Sequence, residues 1–387
     1  MNKKKKICVI SFSDLRNDPR VRKQLFALKD TYDVTSFGLE KSGIKGINEF
    51  VIPDPRTFID KTDSRITFLL ARLFKSLYKH YIKKKYPLKD VIGLLKECRF
   101  DLLVANGLDA LVIACTIAQR EETKILFDAH EYEPRQIEDN WFHRLFVNPY
   151  KDFLCKKYLP FANTITTVSP GIAEEFNRVY SVKPEIIMNT PEYQKTNLQK
   201  VNPNTIRIIH HGIAHPSRKL ENMIKIMPLL EERFLLTLML IKGDKNYLNY
   251  LGNLTDRICP DRISFRSPVA FDFIVSELNH YDIGIIVYNP TSFNIKYALP
   301  NKLFEFIMAG LCIITGPSPE IKKIINEYNC GFAADSFNIE NIAQIINSLT
   351  LQDIKEKKKA SLKAAKFLNA DNEMKKFDKI IRNLAGN

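Results

Sequence analysis

The feature that most constrains this chain is the alternation of short, wholly apolar runs with longer amphipathic ones. Residues 7–12, 34–37, 50–52, 102–105, 125–128, 164–168 and 185–188 read as strands. Helical patterns separate most of them, at 19–29, 65–85, 88–97, 110–120, 141–158 and 170–179. Strands that show no apolar–polar alternation are buried on both faces, and intervening helices supply the cover. That combination predicts a parallel α/β sheet.

The rhythm breaks at 189–204, a polar stretch with two prolines and no periodicity. It then restarts with strands at 206–210, 236–241, 263–265, 283–287, 312–315 and 331–334. Helices are expected at 218–230, 271–280 and 302–309, with a Lys-rich helical tail at 353–384. The expected architecture is two doubly wound, Rossmann-like domains in tandem with a cleft between them, ligands lying beyond the carboxyl ends of the strands. The expected boundaries are 1–195 for the first domain, 196–204 for the linker, 205–370 for the second domain and 371–387 for a terminal helix. The 387-residue length agrees with two domains.

No run approaches the roughly 20 apolar residues of a membrane-spanning helix, and the apolar run at 7–12 is too short for a signal peptide. The seven cysteines show no CxxC spacing, which supports neither a disulfide framework nor a zinc module. A cytoplasmic protein is expected. The net charge of +14 calls for an anionic partner. Nucleic-acid patterns are absent, and nucleic acid is not expected as a partner. Part of the charge lies on one helical face, where Arg65, Arg72, Lys75, Lys79 and Lys83 recur at helical steps beside apolar residues. This reads either as a basic amphipathic helix on an anionic bilayer, at the inner face of the cell membrane, or as an ordinary surface helix packed on its own domain.

Several chemistries fail on inspection. The loop after the first strand lacks GxGxxG, which disfavours a dinucleotide-dependent dehydrogenase, and no GxxxxGK[ST] or GxSxG occurs. His130-Glu131 opens like a zinc-protease motif, but Pro134 stands where the second histidine should be. Without an Asp-x-Asp pair, a diphosphate would be held by Lys, Arg and helix amino-termini, and no metal or other cofactor is expected. His210 and His211, adjacent on a strand, point to opposite faces and read as strand-end residues. His130 and Asp128 have structural readings too, as a hydrogen-bonded histidine and a loop cap, and Trp141 reads as packing.

The richest segment is Ala298-Leu299-Pro300-Asn301-Lys302-Leu303-Phe304-Glu305-Phe306-Ile307-Met308-Ala309-Gly310. Lys302 in a first helical turn opposes the helix dipole, which a bound diphosphate would explain. Glu305, one turn on, can accept two hydrogen bonds from ribose hydroxyls, or be a solvent-facing residue of an amphipathic helix.

This segment resembles the K-x-x-E-x-x-x-x-G-x-x-(V/I)-(V/I) stretch of GT-B nucleotide-sugar glycosyltransferases of the group-4 (GT4-like) class. Other segments follow in that family's order: Asp18-Pro19-Arg20-Val21, Phe127-Asp128-Ala129-His130-Glu131, Thr167-Val168-Ser169, Met188-Asn189-Thr190-Pro191, and Gly212 followed by Arg218-Lys219-Leu220-Glu221. The resemblance implies transfer of a hexose-like sugar from a nucleotide-diphosphate donor to a hydroxyl of a glycan or lipid-linked acceptor. It implies bacterial surface-polysaccharide synthesis, retaining stereochemistry and no metal. It assigns Lys219 to the donor diphosphate with Arg218 as helper, Glu305 to the ribose and His130 to the transferred sugar or acceptor. Asn301 begins the same donor segment. Ser267 and Val269 fall where the base is held by backbone groups. Ser13 and Asp14 fall in the loop that approaches donor phosphate and acceptor. The tail helix is expected against the first domain. Two positions depart from the pattern: Ile213 stands for an arginine and Tyr297 for a glutamate. The Tyr297 departure leaves the retaining stereochemistry and the donor sugar open, and the two departures together keep open a non-catalytic glycan- or membrane-binding scaffold. A GT-B nucleotide-sugar 2-epimerase, which would share the fold, is the other alternative.

Overall fold

Strand β1 (Lys6–Ser11) is buried from its second residue to its last, as a central strand covered on both faces must be. In the computed structural model, which describes residues 4–52, 54, 76–85, 99–118, 123–241, 243–287 and 289–386, it is an interior strand of a parallel sheet, paired with β2 and β4. The other strands are β2 (Asp33–Gly38), β3 (Asn48–Val51), β4 (Leu102–Asn106), β5 (Lys124–Ala129), β6 (Thr164–Thr167) and β7 (Glu185–Ile186). Their order is β3-β2-β1-β4-β5-β6-β7, with every pair parallel. A second parallel sheet contains β8 (Ile206–Ile213), β9 (Phe234–Ile241), β10 (Ile263–Arg266), β11 (Ile283–Ile286), β12 (Cys312–Thr315) and β13 (Gly331–Ala333), in the order β10-β9-β8-β11-β12-β13. Both orders reverse at the first strand of the sheet, between β1 and β4 and between β8 and β11. Such a reversal opens a crevice beyond the strands' carboxyl ends.

The chain divides into two units. One comprises Met1–Met188, Ser292–Asn294 and Met374–Asn387; the other comprises Asn189–Thr291 and Ile295–Glu373. The break thus falls at Met188, ahead of the expected 195, and the segment expected as a linker belongs to the second unit. The anchor is Met308: its sulfur accepts from the Gln194 backbone N–H at 3.3 Å, and its carbonyl accepts from the Thr196 hydroxyl at 2.9 Å. From Met374 onward the chain belongs to the first unit. There Phe377, Ile380, Ile381 and Ala385 are buried with Ile7, Val9, Val21 and Leu25.

Some helices differ from the sequence pattern. The expected 141–158 helix is helical throughout but contains a π-helical stretch, His143–Val147, ahead of its α-helical part, Asn148–Tyr158. Pro149 in that first turn has no N–H to continue a single ladder back through the preceding residues. Trp141, expected to pack, is 63% exposed. The tail splits into Leu351–Ala364 and Ala370–Ala385, where the Asn369 side chain bonds the carbonyls of Ala365 and Lys366.

Of the basic 65–85 segment, the helix Ser76–Lys85 is described. Its Tyr78, Tyr81 and Ile82 are buried, the two tyrosines against Tyr150, while Lys79 is exposed. Lys83 lies on the same helix. Arg65, Arg72 and Lys75, and the expected helix at 88–97, lie outside the described residues. No helix among the described residues is long and apolar enough to cross a membrane.

Candidate functional site

In the second unit a charged cluster gathers where the strand order reverses. Strand β8 carries His210 and His211 near its carboxyl end, both buried. The neighbouring strand β11 fixes the first imidazole, with His210 Nδ1 2.9 Å from the Ile285 carbonyl oxygen. A carbonyl only accepts, so Nδ1 carries the proton and Nε2 is left as an acceptor. Lys302 Nζ stands 3.1 Å from that Nε2 and donates to it. Lys302 comes from the first turn of the helix Asn301–Met308. Burial, then the nearby Arg218 charge, push its ammonium pKa down to about 7, with Glu305 opposing. The same forces hold His210 well below the usual histidine range: burial first, then Lys302.

Glu305 is 5% exposed, which overturns its reading as a solvent-facing residue. Nearly every residue of this short helix is buried, so its polar positions must find partners inside. The carboxylate finds His211: Oε2 lies 3.1 Å from Nε2, without the alignment of a hydrogen bond. The His211 ring packs edge-on against Phe306. Neither histidine is therefore a mere strand-end residue. Their chemistry was missed because only the fold brings residues 210–211 beside 302–305.

The loop after β8 brings up the remaining charges. Gly212 has φ +135°, and a Cβ there would stand 3.1 Å from Lys302 Nζ, so the glycine leaves room for the amine. A 3-10 turn, Pro216–Arg218, follows and ends at Lys219, whose φ of +50° is left-handed. The Lys219 side chain is exposed, while Arg218 is half-buried and close enough to act on both Lys302 and His210. Asn301 Oδ1 accepts from Asn189 Nδ2 at 3.1 Å, which ties the helix start to the 189–204 segment. Ser267 and Val269 stay outside the cluster. They lie in the loop after β10, two strand positions from β8, or about 10 Å across the sheet. A cavity of about 740 Å³ elsewhere in this unit is lined by Arg207, Thr237, Ser264, Arg266 and Glu277, and by none of the cluster residues.

In the first unit the sequence motifs converge on one buried carboxylate. Asp128, at the end of β5, is 1% exposed. It accepts from Arg20 Nε and Nη2 at 2.7 Å each, Gln24 Nε2 at 2.7 Å and Thr166 Oγ1 at 2.8 Å. Burial pushes this carboxyl up, but the Arg20 guanidinium and the hydrogen bonds outweigh it and hold Asp128 well below the usual range. It is a buried hub rather than a loop cap. Arg20 reaches it because Asp18 caps the helix Pro19–Leu28, accepting from the N–H groups of Arg20 and Val21. The Asp18-Pro19-Arg20-Val21 and Asp128-Ala129-His130 segments are thus the two sides of one ion pair. His130, partly exposed, lies with Nε2 3.0 Å from Asn106 Oδ1 and 3.4 Å from Asp128 Oδ2. Asn106 Nδ2 in turn donates to Gln24 Oε1 at 2.9 Å, so the ring's support is itself fixed.

Ser13 and Asp14 hold their own loop. Ser13 Oγ donates to Asp18 Oδ2 at 2.7 Å, and the Asp14 carboxylate accepts from the Arg16 N–H and Asn17 Nδ2. Among the described residues no group of three or more His, Cys, Asp or Glu side chains is placed to hold a metal ion.

No protein-family model matches the chain, and no curated protein matches it. Solved structures do match over nearly its whole length. Anabaena HepE in complex with UDP-glucose aligns with a TM-score of 0.70 at 14% identity, covering 98% of this chain and 99% of that one. Sucrose-phosphate synthase from Thermosynechococcus elongatus aligns at 0.74 and 12%, with 98% and 99% covered. A glycosyltransferase from Rickettsia africae aligns at 0.71 and 14%, covering 100% of both. Two parallel, doubly wound sheets with these likenesses give the chain the GT-B fold.

Proposed function

We propose that the chain is a glycosyltransferase of the group-4-like type. It moves a sugar from a nucleotide-diphosphate donor to a hydroxyl of a glycan or lipid-linked acceptor in the synthesis of a bacterial surface polysaccharide. The observation that carries this reading is the cluster of His210, His211, Arg218, Lys302 and Glu305 at the reversal of the second sheet. It pairs concentrated positive charge with one buried carboxylate, as a ribosyl diphosphate requires. The likeness to structures that hold UDP and UDP-glucose supports the same reading.

In this proposal Lys219, Arg218 and Lys302 neutralise the departing diphosphate. Charge that develops on the leaving group is then met by groups already in place, which lowers the barrier without reorganisation. Glu305, beside His211, accepts from the ribose hydroxyls. His130 contacts the sugar hydroxyls or orients the acceptor, its ring set by Asn106 and Asp128.

Calorimetric titration with UDP, GDP and ADP tests the donor site, and a panel of nucleotide sugars tests for hydrolysis and transfer. Binding of one nucleotide, followed by transfer or slow hydrolysis of its sugar conjugate, is expected. A folded protein that binds none of them sinks the proposal. An epimerised sugar released in the absence of any acceptor would identify the epimerase instead.

A further inference from the structure

The cavity of about 740 Å³ in the second unit is built from polar residues in an unusual place. A parallel sheet covered by helices carries apolar side chains on both faces. Here Arg207, Leu235, Thr237, Ser264 and Arg266 share one face of β8, β9 and β10, because Arg207 is in register with Leu235 and Thr237 with Ser264. The Thr237 and Ser264 hydroxyls stand 3.1 Å apart, as that register requires. Arg207, Ser264 and Arg266 are exposed and Thr237 is partly so. The patch takes in the amino-terminal half of β8 and β9, whereas the donor cluster takes in the carboxyl end: Arg207 precedes His211 on the same strand by about 13 Å. The helix Ile274–Leu278 adds a carboxylate to the cavity wall. Glu277 Oε2 accepts from Arg266 Nη2 at 2.9 Å. Its Oε1 is buried, and among the described residues no group donates to it. A buried carboxylate oxygen without a donor is destabilising, and a ligand that brings one removes the penalty.

The charges around the cavity decide what kind of donor suits it. Arg266 already neutralises Glu277, and Arg262, also in the wall, gives its Nη donors to the carbonyls of Met227, Leu230 and Glu231. The Arg207 guanidinium commits Nη1 alone, to the His280 carbonyl at 3.3 Å. A phosphate would meet one uncommitted guanidinium and a carboxylate that repels it. An ammonium would meet a carboxylate that is already paired. A hydroxyl donates to Glu277 Oε1 without adding charge, and its oxygen accepts in turn from a guanidinium. Several hydroxyls on one frame also suit Thr237 and Ser264, which share a single O–H between them and keep the other for a ligand. Leu235 places apolar surface beside them. The volume falls within the roughly 300–1,000 Å³ of small-molecule sites. We propose that this cavity binds a short saccharide, whose ring hydroxyls bond Glu277, Arg207, Thr237 and Ser264. Binding there does not depend on the proposed transfer activity. Its use does rest on that reading: a glycan held at a second site stays at high local concentration for extension.

Saturation-transfer NMR and calorimetry with maltose, cellobiose and N,N′-diacetylchitobiose test the site, with inorganic phosphate as the charged control. At least one disaccharide is expected to bind at millimolar concentration, with and without saturating nucleotide. Thr237→Val keeps the shape and removes the hydroxyl, and should weaken binding by about twofold to tenfold, the range for a neutral hydrogen bond. Glu277→Gln should weaken it by about tenfold or more, as for a bond to a charged group. Nucleotide affinity should be unchanged in both variants. Saccharide binding undiminished in both would place it elsewhere and overturn the proposal, as would failure of every disaccharide to bind. Phosphate binding instead, lost in Arg207→Ala, would overturn it in favour of an anion site. None of these results touches the donor reading, and failure of every nucleotide to bind would sink that reading while leaving the saccharide site standing. If Glu277→Gln does not fold, Thr237→Val decides alone.

Discussion

At the scale of single residues, the two units use buried carboxylates in different ways. Glu305 is set against a histidine that is not its aligned hydrogen-bond partner, so its oxygens can turn to a ligand. Glu305→Ala and Lys219→Ala should each weaken nucleotide binding by about 1–3 kcal/mol, the range for a charge-assisted hydrogen bond, as read by calorimetry. Wild-type affinity in both variants would misplace the site. Asp128 is the opposite case, saturated by Arg20, Gln24 and Thr166. Asp128→Asn leaves a buried guanidinium without its counter-charge and should cost about 3–5 kcal/mol in urea denaturation near pH 7. The folded carboxyl is held below its unfolded value of about 3.9. Its stabilisation is therefore complete above that value and is lost as pH falls through the folded pKa. The gap between wild type and variant should stay constant from about pH 5 to 8 and narrow below pH 4. A gap that grows in acid would refute this assignment.

At the scale of elements, strand positions were legible because buried parallel strands leave continuous apolar runs. The cores of β1, β4, β5, β8 and β12 sit where those runs do. Contacts between distant elements were not legible. Nothing near Glu305 in sequence signals that it is buried, and nothing near His210 signals the Ile285 carbonyl or Lys302. Lys358 shows the same limit. In a Lys-rich helix it is 1% exposed, donating to Asp282 Oδ1 at 2.9 Å and to the Tyr281 carbonyl at 2.8 Å. The candidate donor residues Lys302 and Glu305 were found from local pattern and resemblance, whereas their histidine partners needed the fold. The tail helix Ala370–Ala385 supplies a packing test. Phe377 is buried in the first unit's core, so Phe377→Ala should cost about 3–5 kcal/mol, the usual loss for a buried phenylalanine. Phe367→Ala, at a side chain 64% exposed, should change stability by less than about 0.5 kcal/mol. Equal effects in denaturant titrations would mean that the tail helix contributes no more than exposed surface.

At the scale of the whole molecule, the net charge of +14 asks for more than one anion. The proposed donor cluster would use only a few of these charges, and buried pairs such as Arg20–Asp128 and Lys358–Asp282 cancel internally. The basic helical face predicted a membrane contact, and the helix Ser76–Lys85 narrows how it would work. Tyr78 and Tyr81 pack on Tyr150, and Ile82 is buried, so the apolar side described here is already spent on the helix's own unit. Insertion by that side would expose its core contacts, which leaves surface attraction through residues such as the exposed Lys79. A basic residue near an anionic leaflet contributes about 1 kcal/mol and is screened over about 8 Å at physiological salt. Association should therefore be reversible, should require anionic lipid, and should fall sharply between 0.1 and 0.5 M salt, values set by about 10 Å and 4–5 Å of screening. Co-sedimentation with vesicles containing phosphatidylserine or neutral lipid alone measures it. Reversing the charge of Arg72, Lys75 and Lys79 together should abolish binding without altering nucleotide affinity, because the proposed donor cluster lies in the other unit. Binding that survives high salt or neutral lipid would instead require apolar insertion. Among the described residues of the first unit the most exposed aromatic is Trp141, which would then be the side chain to remove.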